Sequence, residues 1–255
     1  MAITFVGMAT ANGNGSTSGF TASLTALTGG SDTSPSEGDI VIATQARPSG
    51  SNNLASMSVS TSGYTEIASA WADDSRDSNI KQWYKIMGAT PDTAVSFSGT
   101  SSQDPRLAIA LVFRGVDLTT PLDVTAETAT GGDTSRPSPA SITPSTSGSL
   151  IVVSCCSSFF TARTFIDPSE DNWFEQYRSE TYGGSQMCFT REASGGEETF
   201  SEISTSIDDA AASWASITTA LRSADGGGGG GGSSIKSVNG LAKASIKSWN
   251  GVELA

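Results

Sequence analysis

Short apolar runs separated by clusters of Ser, Thr, Gly, Pro, Asn and Asp set the rhythm of this chain. Most runs are four to eight residues, which is the length and the punctuation of β-strands. Met1-Ala2-Ile3-Thr4-Phe5-Val6 opens one at once, and Ile80-Lys81-Gln82-Trp83-Tyr84-Lys85-Ile86 is another. Two segments, Leu107 to Phe113 and Ala215 to Leu221, are apolar enough to be central strands buried on both faces. Strands at regular spacing without intervening helical patterns predict an all-β chain, an antiparallel β-sandwich of jelly-roll type. The best short-helix candidate is Asp208-Asp209-Ala210-Ala211-Ala212-Ser213-Trp214, although its end belongs to a strand pattern.

The strands recur in order, which predicts two related halves, residues 38–117 and 148–225. Gly38-Asp39-Ile40-Val41-Ile42-Ala43 is answered by Gly148-Ser149-Leu150-Ile151-Val152-Val153, each after a Ser/Pro loop. Tyr64-Thr65-Glu66 is answered by Trp173-Phe174-Glu175, and the strand at Ile80 by Ser185-Gln186-Met187-Cys188-Phe189-Thr190. Ala94-Val95-Ser96-Phe97 matches Glu198-Thr199-Phe200-Ser201. The run Leu107 to Asp117 matches Ala215 to Asp225. Identity is low, and the shared order of five elements carries the argument; this is a repeat of whole sheets, not of a solenoid unit. The first copy leaves through a proline turn, Gly115 to Asp123, and Ser135-Arg136-Pro137-Ser138-Pro139 is expected as a surface connection.

After Asp225 the character changes. Gly226 to Gly232 form a low-complexity tether (226–232), and the tail 233–255 carries a sharper repeat. Ser234-Ile235-Lys236-Ser237-Val238-Asn239-Gly240-Leu241 returns eleven residues on as Ser245-Ile246-Lys247-Ser248-Trp249-Asn250-Gly251-Val252. Each unit reads as strand, tight Asn-Gly turn, strand. So short a segment cannot bury a core of its own, so it needs a partner surface, on its own body (1–225) or on another subunit. The assembly residues expected from this are Ile235, Val238, Asn239, Gly240, Ile246, Trp249, Asn250 and Gly251, with Trp249 as an anchor in a partner groove.

Composition narrows the function classes. Only 16% of residues are charged and the formal net charge is −12, so the basic footprint of a nucleic-acid binder is missing. No apolar run reaches the length of a membrane span, and the N-terminus has no basic leader region, so neither membrane insertion nor a secretion signal is expected. Cys155, Cys156 and Cys188 do not make a disulfide framework. They are expected as small buried hydrophobes, with the adjacent pair on opposite faces of a strand.

There is no histidine, which removes the Ser-His-Asp and Cys-His ways of activating a nucleophile. Carboxylate pairs for glycoside hydrolysis could come only from loops, Asp73, Asp74 and Asp77 or Glu170 and Asp171. These read as solvated loop residues, and the chain is not expected to be an enzyme. Asp73 to Asn79 lacks the glycine and closing glutamate of an EF-hand, so no metal or cofactor is expected. Trp71, Trp83, Tyr84 and Trp173 could stack on sugars, while core packing is the competing expectation.

The ordered set Gly-Asp-Ile-Val-Ile, aromatic with Glu, Trp-Tyr-Lys, Phe-Arg-Gly-Val-Asp, Thr-Pro-Leu-Asp and Ser-Trp-Ala-Ser-Ile-Thr-Thr-Ala-Leu-Arg resembles a β-sandwich domain of phage virion and bacterial surface proteins. It covers roughly residues 20–224, and the tail repeat resembles short C-terminal repeats of phage structural proteins. The resemblance implies particle assembly or surface display, with no catalytic residues. The resulting expectation is a phage virion surface component, a head decoration protein or part of a tail fibre or tail tip. Its partners would be other virion proteins and copies of itself, as a trimer. The alternative is a carbohydrate-binding module for host-surface glycan.

Overall fold

The computed structural model describes residues 2–13, 19–49, 51–74, 76–98, 106–132, 136–159, 171–178, 183–201, 203 and 213–225, together with 237–238, 241–242, 248–249 and 252–253. One 3-10 turn, Leu54–Ser56, is the only helical element among them. The first half supplies β1 (Thr4–Gly13), β2 (Phe20–Ser23), β3 (Ile40–Ser49), β4 (Ser58–Val59), β5 (Thr65–Ala72), β6 (Asp77–Ile86), β7 (Ala94–Ser98) and β8 (Arg106–Arg114). The second supplies β9 (Glu127–Gly131), β10 (Leu150–Phe159), β11 (Asp171–Arg178), β12 (Gly183–Glu192) and β13 (Trp214–Leu221).

These strands form two antiparallel five-stranded sheets, β1-β8-β3-β6-β5 and β9-β13-β10-β12-β11. The order is the same in both once β1 is matched to β9, β8 to β13, β3 to β10, β6 to β12 and β5 to β11. The duplicated segments therefore occupy equivalent places. Each sheet also takes an edge strand, β1 or β9, from upstream of the segments 38–117 and 148–225. The first half adds a small sheet, β2-β7-β4, and its chain passes back and forth between large and small sheets as in a jelly roll.

Successive residues of a strand face opposite sides, and in the central strands both sides are buried. On β8, Ala108, Ala110 and Val112 face the small sheet, where they meet Phe97, Val95, Met57 and Trp83. Ile109, Leu111 and Phe113 face the other way, against Val152, Cys188 and Leu221 of the second sheet. All eight residues of β13 are buried in the same two-sided manner. Each of these fully buried Ile, Leu and Phe side chains contributes about 1.5–3 kcal/mol.

The two large sheets pack as a pseudo-twofold pair. β6 lies over β13 and β12 over β8; β5 lies over β9 and β11 over β1, with β3 on β10 at the centre. This reciprocal pattern is that of an isologous interface. Thr44 and Ser154, the fifth residues of the equivalent strands β3 and β10, meet on the axis with their hydroxyls 3.2 Å apart. Around them lies a fully buried polar network. Gln82 Nε2 donates to Ser154 Oγ at 3.0 Å and to Thr44 Oγ1 at 3.2 Å, Thr219 Oγ1 donates to Gln82 Oε1 at 2.5 Å, and Gln186 Nε2 donates to the Thr44 carbonyl at 3.0 Å. Such a network favours one registry of the halves, because a slip would strand several buried polar groups. Nearby, Gly184 approaches Pro48 so closely that a Cβ would collide with the proline ring.

Two local expectations change. The segment at Glu198 is no strand; it makes one bridge, Ile142↔Glu198, because the stretch facing it contains Pro137, Pro139 and Pro144, which donate no backbone N–H. The Pro-rich connection is not merely superficial. Pro137 and Pro139 are buried, and Ile203 N donates to the Pro137 carbonyl at 2.7 Å. With Ile142 and Phe200, this stretch covers the outer face of the second sheet, where the first half uses β2, β4 and β7.

Candidate functional site

The strands share one axis, so the body has two ends. β8 and β13 both finish at one end, and the chain leaves the body there. The segments just beyond them pair with each other: Val116 bridges Ser223, Asp117 N donates to the Arg222 carbonyl, and Ala224 N donates to the Gly115 carbonyl, both at 2.9 Å. Gly115 has φ +86° and sits against the Ala2 carbonyl, so the N-terminal segment lies at the same end. The tether after Asp225 starts from a fixed anchor.

Two arginine–carboxylate pairs lock this exit end. Arg114 donates bidentately to Asp39, Nε to Oδ1 at 2.8 Å and Nη2 to Oδ2 at 2.9 Å, and the Ser36 N–H caps Oδ2 at 2.7 Å. The equivalent Arg222 donates to Asp123 Oδ1 at 3.1 Å. Asp123 also accepts from the Ser145 and Thr146 N–H groups at 2.5 and 3.0 Å and from both hydroxyls. Burial alone would raise the Asp123 pKa, but the bonds from Thr146, Ser145 and Arg222 outweigh it and hold the carboxyl below its usual range.

At the opposite end lie the strand ends Gly13, Ala72, Asp77, Ser98 and Arg106. Its described part is a polar seam between the sheets. Ser78 Oγ donates to the Ser213 carbonyl at 2.8 Å, Ser158 Oγ to the Arg76 carbonyl at 2.8 Å, and Ser213 Oγ to the Arg76 carbonyl. Arg47 and Arg106, each 1% exposed, are the largest fully buried side chains. Arg47 Nη1 donates to Ser56 Oγ at 2.8 Å, and the Arg106 guanidinium lies over the Phe20 ring. Sequence reading missed these residues; the signal was an arginine at the end of an otherwise apolar strand, Arg47 before Pro48 and Arg106 before Leu107.

The candidate chemical residues are spent on structure where they are described. Asp73 and Asp74 lie in the β5–β6 hairpin loop. Asp77 is buried and accepts from Trp71 Nε1 at 2.9 Å and from the Asp74 N–H at 3.2 Å. Trp83 is 5% exposed in the core beneath the small sheet, and Tyr84 packs between the large sheets. Leu118 is the one large exposed hydrophobic side chain among the described residues. The side chains of Trp173 and Asp171, and Glu170 and Asp208 to Ala212, lie outside the described residues. Cys155 faces the outer core while Cys156 and Cys188 face the inter-sheet core. All three thiols are free. Burial pushes Cys156 and Cys188 up to about 12 and Cys155 well above the ordinary thiol range.

In the tail, β14 (Ser237–Val238) pairs with β15 (Leu241–Ala242), and β16 (Ser248–Trp249) with β17 (Val252–Glu253). Val238 faces Leu241 and Trp249 faces Val252, so each repeat is a hairpin closed by two residues, the loop length that Asn-Gly suits. Ile235, Asn239, Gly240, Ile246, Asn250 and Gly251 themselves lie outside the described residues. Among the described residues, neither hairpin joins a sheet of the body.

No protein-family profile, curated protein or solved structure matches this chain.

Proposed function

We propose that the protein is a structural component of a phage virion surface, a head decoration or tail fibre/tail tip subunit, whose body is displayed and whose tail joins it to its neighbours. The observation that carries this reading is the body's polarity. The body ends at Asp225 beside the end locked by Asp39–Arg114 and Asp123–Arg222, while the strand ends Gly13, Ala72, Asp77, Ser98 and Arg106 lie at the opposite end. A body held at one end and presenting the other suits display.

The tether and tail fit an assembly role. A seven-glycine segment has a random-coil root-mean-square span of roughly 15 Å, short enough to keep the tail concentrated near its anchor. The two hairpins offer backbone hydrogen bonds for strand addition, with Ile235, Val238, Ile246 and Trp249 as specificity contacts. Display and assembly need no catalytic centre. The sugar-module alternative is less well supported, because Trp83 and Tyr84 are committed to the cores.

The test is solution mass by light scattering, for the full chain and for a chain ending at Asp225. The full chain should form a stable oligomer, a trimer in our reading, and the shortened chain should be monomeric with an unchanged melting temperature. Trp249→Ala should weaken association at least tenfold. Equal masses for the full and shortened chains would overturn the assembly role.

A further inference from the structure

We propose that the outer edge of β9 is the acceptor for the tail of a second copy; this rests on the tail being an assembly device. The two sheets differ at this edge. β1, the counterpart of β9, has its outer edge closed by its own chain: Met8 and Thr28 exchange backbone hydrogen bonds of 2.9 and 3.0 Å, and the N–H groups of Ser31 and Asp32 donate to the Phe5 and Val6 carbonyls. Gly30 allows this approach, since a Cβ there would collide with the Val6 carbonyl.

The covering segment belongs to the connection from Ser23 to Ile40. In the second half the matching connection runs only from Ile142 to Leu150, too short to fold back over β9 as well. The Ala129 carbonyl faces β13, where it accepts Ser216 Oγ at 3.4 Å. By alternation the N–H and C=O groups of Thr128 and Thr130 point outward from the sheet. Among the described residues no backbone hydrogen bond reaches that outer side. An open edge of this kind is a template for strand addition.

Charge identifies the occupant. Lys236, Lys243 and Lys247 against Glu253 give residues 226–255 a formal +2, so residues 1–225 carry −14 of the total −12. Glu127 is exposed on β9 itself, and Asp74 lies against Gly132 just beyond its end. A basic, self-paired hairpin on an acidic body complements this edge. The tether and the residues before Ser237 extend at most about 40 Å, enough to cross to a neighbouring subunit. A second copy is favoured over the chain's own β9 because, among the described residues, the hairpins pair only within themselves.

The experiment measures association of full-length variants by sedimentation, with thermal melting as the folding check. Thr130→Pro removes an outward donor and spares the ladder to β13; it should weaken association at least tenfold. Glu127→Lys should weaken it as well, and combining it with Lys236→Glu, Lys243→Glu and Lys247→Glu should restore it. If both β9 variants associate like the parent while the chain ending at Asp225 is monomeric, β9 is not the acceptor and the tail reading stands. If the shortened chain associates like the parent, the tail reading falls and this proposal with it. A monomeric full-length chain whose residues 127–131 lose hydrogen-exchange protection on truncation would overturn the proposal in favour of a tail folded onto its own body.

Discussion

At equivalent places in the two sheets, Asp39 opens β3 and Ser149 opens β10. Asp39 binds the arginine that ends its own sheet, Arg114, and caps the loop before β3 through Ser36. Ser149 cannot do either, and its buried hydroxyl has no hydrogen-bond partner among the described residues. In the second half both tasks pass to Asp123, which reaches in from the connection between the halves to hold Arg222 and cap Ser145 and Thr146. The comparison teaches that what is retained is a physical requirement at a place in the fold, a carboxylate between an arginine and a loop. The sequence position that meets it is free to move. The same holds for covering the outer faces, by a three-stranded sheet in one half and by a Pro-rich segment in the other.

The sharpest way to break this comparison is to remove each carboxylate. Asp123→Ala should cost about 3 kcal/mol, because it strands two loop N–H groups and a half-buried arginine. Asp39→Ala should cost about 2 kcal/mol, since Arg114 is 39% exposed and regains water. Denaturant unfolding checks both, and a costlier loss at Asp39 would contradict the account.

The pH dependence follows from the same carboxylate. Its folded pKa is depressed, so its contribution is present above the unfolded value near ~3.9 and is lost as pH falls through the lower folded value. Asp123→Asn should flatten the acid limb of stability measured by unfolding below about pH 4, whereas Ser149→Ala should leave that limb unchanged.

Next in size is the axis between the halves. Gln82→Ala should cost about 2 kcal/mol by leaving Thr219, Ser154 and Thr44 short of partners. Replacing the whole set with apolar residues should cost less than the sum of single losses, readable in a multiple-mutant cycle. The smallest effect belongs to Ser149→Ala, which removes an unpartnered buried hydroxyl. It should be neutral or stabilising by up to about 1 kcal/mol in the same unfolding assay.

Much of the fold was legible because burial imposes period and length. Runs with apolar residues at both odd and even positions had to be central, and β8 and β13 are buried on both faces. The Asn-Gly repeats announced hairpins of two-residue turn, because the backbone conformation those turns need is local. Less legible was β9, since an edge strand is held by pairing that leaves little trace in a short, half-exposed run such as Glu127 to Gly131. The buried Arg47 and Arg106 were missed for a similar reason, as an isolated arginine reads as surface until its neighbours are known.

By itself the sequence determined the strand-rich class, the doubling of the strand pattern, the hairpin units of the tail and the lack of histidine chemistry. All of these follow from local residue preference or simple composition. Only the tertiary structure decided that the halves pack large sheet to large sheet about Thr44 and Ser154. The same is true of the move of one carboxylate role to Asp123, and of the closing of the outer edge of β1 by the segment around Thr28. Those outcomes depend on contacts between residues far apart in the chain, whose free energies no local pattern records.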